Sequence, residues 1–229
     1  MPLEARSWQE PPRGADWLPR LEDAVIMAKT RIRTSQFQPA EAARGARPAA
    51  PNVDAAHCPI EMLYEEHFQQ RQMAQDMEAL ADSQMPRPDL ARCILGALTG
   101  RLIHHRADED ESLFPRLRTR AHPEDEIGPL LDQLQAEHAQ LRDMSDKLMP
   151  ALCRMADGAL PAPEDRDALH RFAQAERNHL IAENALVLPL ARLRLSASDK
   201  LAALAEMRAR RSQPPAGPPI PPDAEGKAE

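Results

Sequence analysis

The chain has little of what a sheet protein, a disulfide-bonded domain or a membrane span requires. Aromatic residues are 3% of its 229 positions and glycines number 8. With so few aromatics and turn residues, strands joined by tight turns are disfavoured. Ala, Leu and Met supply most of the 42% apolar content, a helix-forming composition. The cysteines, Cys58, Cys93 and Cys153, are odd in number and show no C-x-x-C spacing. A disulfide framework or a thiolate zinc site is thereby disfavoured, and a reduced, cytoplasmic location is the expectation. No apolar run approaches the roughly 20 residues of a membrane span, and the first thirty residues lack a signal-peptide core. Positive charge is also short, 29 Lys and Arg against 36 Asp and Glu, a formal net charge of -7. That balance argues against general affinity for nucleic acid or an anionic membrane.

Proline is the one abundance that looks contrary to a helical chain, with 23 copies. Its placement resolves the conflict, because the prolines gather near the N-terminus, between candidate helices and in the final segment. Residues 1–57 read as a partly disordered N-terminal extension, with one short helix over 21–33 and an Ala/Arg-rich linker over 39–51. Residues 196–229 read as a short amphipathic helix over 198–211, with Leu201, Leu204 and Met207 on one side, then a Pro-rich disordered tail. Between them, residues 58–195 carry four long helical patterns. The first runs from Pro59 to Ala81, and the second over 89–118 with Asp89 as its N-cap. The third covers 124–155 and the fourth 164–195. Four helices with short connections predict an all-α, up-down-up-down four-helix bundle.

The apolar stripes of these helices carry the information about function. On the first, the stripe runs Ile60, Leu63, His67, Ala74, Met77, Ala81. The second gives Ile94, Leu98, Leu102, His105, Glu109, Leu113, and the third Ile127, Leu131, Leu134, His138, Leu141, Ser145, Leu148, Leu152. The fourth gives Leu169, Phe172, Ala175, His179, Glu183, Leu186, Leu190. Each helix therefore places one histidine on its buried face, and two helices add a glutamate one turn later. A buried carboxylate is costly without a cation or hydrogen bonds, and a metal cluster would satisfy all six groups together. The second and fourth helices repeat one local pattern, H-x-x-x-E with a proline ten residues after the histidine: His105, Glu109, Pro115 and His179, Glu183, Pro189. At i, i+4 an imidazole can bind one metal while the carboxylate reaches a second. Four imidazoles and two carboxylates without sulfur suit iron or manganese, and six ligands would crowd a single ion.

The helix-1 histidine in EMLYEEH, the HHRADEDESLFPRL block, the EH of LQAEHAQL and the HLIAENALVLPL block resemble a hemerythrin-like (HHE cation-binding) domain over about residues 58–195. By that resemblance His67 and His105 bind one iron and His138 and His179 the other. Glu109 and Glu183 bridge a non-haem di-iron pair completed by an oxo, hydroxo or water bridge. The oxygen-carrying members have a fifth histidine on the third helix. Here the positions four before and after His138 are Leu134 and Arg142. Those members also carry Asp where this chain has Glu183. One ligand fewer implies an open position for O₂, NO or peroxide, and favours reaction or sensing over reversible oxygen carriage. The ligand set also resembles the di-iron proteins of iron–sulfur cluster repair, although their cysteine-containing N-terminal domain has no counterpart in residues 1–58. An iron-responsive binding module, using the terminal extensions to meet a protein partner, is the other alternative, so whether the chain is an enzyme stays open. Among neighbouring groups, Glu65, Glu66, Glu137, Asp108 and Asp110 could shuttle protons or fix an imidazole tautomer beside a metal, but a solvated helix face is the favoured reading for each, and Glu176 reads as the best support for a ligand. Tyr64 reads as bundle-edge packing or a partner for a bound ligand, and His104 faces sideways.

Overall fold

The structure, a computed structural model, describes residues 51–212. Among them every regular element is helical and none is a strand. Helix α1 spans Pro59–Ala81. A second helical stretch follows as α2 (Pro88–Gly96), a π-helical turn π1 (Ala97–Arg101), α3 (Leu102–Ala107), π2 (Asp108–Leu113) and α4 (Phe114–Arg120). The third is α5 (Ile127–Ala156). The fourth comprises α6 (Pro163–Ala182), π3 (Glu183–Val187) and α7 (Leu188–Arg194), after which comes α8 (Ala197–Ser212). No helix of the described residues is long and apolar enough to cross a membrane. The expected helix over 21–33, the linker up to residue 50 and the tail over 214–229 lie outside the described residues.

Proline starts three of these stretches, at Pro59, Pro88 and Pro163, where a missing N–H costs nothing. Two starts differ from expectation. Asp89 is not a cap; Pro88 opens α2, and the Asp89 carboxylate in the first turn accepts from Arg92. The third helix begins at Ile127, because Pro123–Asp125 close a 3-10 turn and Glu126 adopts φ 45°. The Asp125 carboxylate locks that turn by accepting from the His122 N–H at 2.7 Å and from Arg194 at 2.7 Å.

The core lies along the facing stripes. Met77, Leu80, Ile94, Leu148, Leu152, Leu169 and Phe172 are all buried and fill one end of it. On the fourth stretch the stripe slips. Leu186 and Leu190 are half-buried, while Val187, Leu188 and Ala191 are buried. The cause is π3, whose wider turn sets back the phase of every later residue. The same proline logic makes π2 and π3. Pro115 and Pro189 cannot donate and clash with the carbonyl four residues back, so the preceding residue reaches one further. The N–H of Phe114 bonds the Glu109 carbonyl, and that of Leu188 bonds the Glu183 carbonyl. The two H-x-x-x-E…P patterns are therefore helices that widen at their glutamates.

Helix α8 packs on α1, α3 and π2. Its buried face is Ala203, Leu204 and Met207, whereas Leu201 is exposed. At about 100° per residue, Leu201 falls roughly a third of a turn from the centre of that face. Arg208 of α8 donates to the carbonyls of Val53, Asp54 and Ala56, tying residues 53–56 to the helix.

Candidate metal centre

All six stripe residues expected to carry chemistry meet in one buried layer. His67, Glu109 and Glu183 are fully buried, and His105, His138 and His179 nearly so. Two groups emerge, His67, His105, Glu109 and Glu183, and His138, His179, Glu109 and Glu183. In each, the donor atoms lie within 4.8 Å of one another, so each could hold a metal ion. Both groups contain both glutamates.

The four histidines present the same nitrogen inward. His67 Nε2 is 3.3 Å from Glu109 and 3.4 Å from Glu183; His105 Nε2 is 3.2 Å from Glu109. His179 Nε2 stands 3.0 Å from Glu183, and His138 Nε2 3.5 Å from Glu109 and 3.7 Å from Glu183. His138 Nε2 and His179 Nε2 are 2.8 Å apart. Two bare nitrogens at that distance repel, so a proton or a cation belongs between them. Two donors each about 2.1 Å from one ion and at about a right angle would lie about 3 Å apart.

The outward nitrogens are all held. His105 Nδ1 bonds Glu66 at 2.9 Å, His138 Nδ1 bonds Asp110 at 2.9 Å, and His179 Nδ1 bonds Glu137 at 2.9 Å. His67 Nδ1 lies 3.1 Å from Asn184 Oδ1, and the Asn184 amide is oriented by donating to the Leu180 carbonyl at 2.7 Å. An oxygen at Nδ1 fixes the proton there and leaves the Nε2 lone pair facing the centre. These supports form a ring. Glu66 on α1 serves the second stretch, Asp110 on π2 serves α5, Glu137 on α5 serves α6, and Asn184 on π3 serves α1. Every support is the chain neighbour of a glutamate or histidine of the centre, yet holds a histidine on another helix. One residue off the buried stripe, a side chain sits at the edge facing the adjacent helix.

Three supports therefore differ from the solvated reading. Glu66 is buried, and Asp110 and Glu137 each bind an imidazole; Glu65 alone is exposed as expected. Asn184 carried no signal beyond its place beside Glu183. Glu176 is buried as expected of a support, but its partner is Arg106 at 3.1 Å, not a histidine. Asp108 is buried too, and binds Arg210 and Arg211 of α8. Tyr64 sits at the bundle edge under the Arg192 guanidinium, 5.8 Å from the ring centroid. Phe114 stacks on the His138 ring at 6.0 Å and closes that side of the centre.

The electrostatics are those of a cation site filled by protons. Burial and the nearby Glu183 both push the Glu109 pKa up, yet the surrounding imidazoles outweigh them and bring it to about 2. Glu183 is likewise held well below the carboxylate range despite burial. Burial disfavours charged His179, but Glu183, Glu137 and Glu109 prevail and raise its pKa to about 10. His105 and His138 are also raised against the effect of burial, by Glu109 and Glu66 and by Asp110 and Glu183 respectively. Protons alone leave the layer incomplete. His105 Nε2, Glu109 Oε2 and both Glu183 carboxylate oxygens are buried without a hydrogen-bond partner among the described residues. Such atoms are costly in a core, and a bound cation would satisfy them together.

Among curated proteins, none matches the chain significantly. The profile of the hemerythrin HHE cation binding domain matches residues 58–191. That span takes in α1 through most of α7, with all six converging residues and all four supports. The chain belongs to the hemerythrin HHE cation-binding domain family.

Proposed function

We propose that the centre holds two iron ions, His67 and His105 binding one and His138 and His179 the other, with Glu109 and Glu183 bridging both. The single observation that carries this reading is the sharing of both glutamates by two otherwise separate histidine pairs. Nitrogen and carboxylate donors without sulfur suit iron. When bound, the pair, completed by an oxo or hydroxo bridge, would supply redox chemistry toward a small ligand such as O₂, NO or peroxide. The protein's part is to orient four imidazoles through their Nδ1 partners and to exclude bulk water from the layer. Leu134 is buried and Arg142 exposed, so neither flank of His138 adds a nitrogen. Two histidines per ion leave room for the small ligand.

The metal-binding unit in this reading is residues 58–195, an up-down-up-down four-helix bundle, with 1–57 and 196–229 as extensions able to meet a protein partner. Cys58, Cys93 and Cys153 are unpaired, which supports a reducing, cytoplasmic setting. One observation favours sensing over turnover. Arg211 of α8, beyond the matched span, donates to Glu66 at 2.7 Å, and Glu66 in turn holds His105. A change in the His105 environment would thus be felt in the C-terminal helix.

Iron analysis and spectroscopy test the proposal. Anaerobic reconstitution is expected to give about two irons per chain and near-ultraviolet oxo-bridge absorption after oxidation; less than half an iron per chain would sink it. Mixing the diferrous protein with O₂, NO and H₂O₂ separates the modes. Catalytic turnover marks an enzyme, and a stable adduct with altered hydrogen exchange in α8 marks a sensor.

A further inference from the structure

Helix α8 lies against α1 and the second stretch and runs antiparallel to the latter. Asp199 meets Arg120, Glu206 meets Arg116, Arg210 meets Ser112 and Arg211 meets Asp108, so α8 numbers rise as those of the second stretch fall. Its last pairing with α1 is that of Arg211 with Glu66. Past Ser212 the cleft between the two walls goes on without α8. The next residues along it are Gln69, Gln70 and Met73 on α1, with Leu102, Arg101 and Ala97 opposite. This part is a neck of about 20 Å³, with room for a water or a single carbonyl oxygen. It opens into a groove of about 380 Å³ that reaches Asp76 and Cys93. Gly96 borders that groove, and a Cβ added there would meet nothing within 4 Å.

The groove has an apolar floor at Met73, Ile94 and Ala97, all buried. Two donors on the walls of the cleft lack acceptors. Gln70 is 8% exposed, and its Nε2 has no hydrogen-bond partner among the described residues. Arg101 is exposed and forms no hydrogen bond or ion pair among them. Other polar groups of the wall are engaged: Asp76 accepts from Gln72, and Arg92 donates to the Ala156 carbonyl. A buried N–H without an acceptor is unfavourable, so an occupant of this cleft should bring acceptors and apolar surface.

We propose that the groove is the seat of this chain's own C-terminal segment, residues 213–229. That segment begins where α8 ends, at the mouth of the cleft and in line with it. From Glu66 to Asp76 helix α1 rises about 15 Å, at about 1.5 Å per residue. A Pro-rich chain covers that distance in about five residues, at about 3.1 Å each, so 17 residues are ample. Pro214, Pro215, Pro218 and Pro219 have no N–H, so this part brings carbonyl acceptors to Gln70 and Arg101 and apolar rings to Met73 and Ala97. Farther on, Asp223, Glu225 and Glu229 outnumber Lys227 and complement Arg92 and Arg101. Residues 1–50 have the opposite balance, eight Lys and Arg against six Asp and Glu. The seat does not depend on which ion the centre holds.

Cysteine labelling tests it. Cys93 and Cys153 are both exposed, and of the two only Cys93 lines the groove. Reaction with iodoacetamide, followed at each cysteine by peptide mass spectrometry, compares the full chain with one ending at Ser212. A segment seated about nine-tenths of the time protects what it covers about tenfold. Cys93 is therefore expected to react about tenfold faster in the shortened chain, and Cys153 at the same rate in both. Gln70→Leu removes one hydrogen bond and is expected to weaken the seat about fivefold, leaving about threefold protection of Cys93 in the full chain. The same substitution should change nothing in the shortened chain. Arg101→Met, at an exposed position, is expected to act in the same direction. Equal Cys93 rates in the full and shortened chains would overturn the proposal. So would protection that survives removal of residues 213–229 but is lost with residues 1–50, which would seat the N-terminal extension there. Protection that appears only as protein concentration rises would mark a second copy as the occupant and overturn it likewise.

Discussion

Replacing Arg211 with methionine should cost the metal-free protein about 2–3 kcal/mol at pH 8, and much less at pH 5. Arg211 donates to Glu66 at 2.7 Å and pairs with Asp108, and the three side chains are 17%, 11% and 0% exposed. Breaking a buried ion pair by removing one partner costs about 3–5 kcal/mol. The lower figure applies here because Arg210 stays on Asp108 and His105 stays on Glu66. The pH dependence follows from Asp108. Burial raises its pKa to about 6 even with Arg211 beside it, and removing the guanidinium raises it further. A carboxyl whose folded pKa exceeds its unfolded value favours the fold while protonated. It loses that contribution as pH rises from about 4 through the folded pKa. At pH 5 the variant can protonate Asp108 and shed most of the penalty there; at pH 8 it cannot. Glu66 behaves oppositely. Its pKa is lowered despite burial, by His105 and Arg211, so part of the loss persists at pH 5. Urea unfolding at the two pH values is the assay. Equal loss at both, or no loss at pH 8, would refute this account of the α8 contact.

The centre itself gives four further expectations. Metal uptake at pH 7 should release about two protons per chain, because the His105 pKa is raised well above the ordinary imidazole value and that of His179 to about 10, and both must give up their Nε2 protons. Calorimetry in buffers of different ionisation enthalpy counts them, and release of none would contradict the protonated resting layer. The same shifts mean that His179 stabilises the metal-free fold fully below about pH 6.5 and loses this as pH rises through about 10, which a pH series of thermal melts would trace. Asn184→Leu should weaken iron binding about 10–100-fold, chiefly at the His67 and His105 group, since His67 Nδ1 loses its partner. Iron content falling toward one per chain is the expected result, and two tightly held irons would show that Asn184 orients nothing. Glu109→Ala should lose both irons, and retention of both would disprove the bridge.

The histidines and glutamates were legible in the sequence because burial and helical period point the same way for each. An ionisable residue on an apolar stripe stands out against its neighbours. The supports were not legible for the converse reason. Glu66, Asp110 and Glu137 lie one residue off the stripe, where an acidic side chain is ordinarily solvated, and only packing against the next helix turns that position inward. Asn184 has no charge to make its burial conspicuous. The slipped stripe after Glu183 was hidden for a different reason. A strict spacing of three and four assumes an unbroken α-helix, and Pro189 alone does not disclose that the turn before it widens.

The ring of supports explains why the first and second members of each adjacent pair take their different roles. Along α1, Glu66 and His67 differ by about 100° in direction, so when His67 points into the centre Glu66 must face the neighbouring helix. The same holds for Glu109 and Asp110, Glu137 and His138, and Glu183 and Asn184. A shift of one residue in the phase of any helix would turn its histidine out of the centre and leave that histidine's pair incomplete. The bundle therefore has to fix helix rotation more tightly than apolar packing alone requires. Three of the four supports are carboxylates bound to imidazoles, which makes each rotation a matter of a buried polar contact that is present or absent. Arg211 adds a second anchor to the first of these contacts from outside the four helices. The fourth support, Asn184, is the one neutral member, and it is tied back to its own helix through Leu180. Ring closure at Asn184 is thus a geometric constraint without a charge, which is why its replacement should loosen one histidine and leave the other three in place.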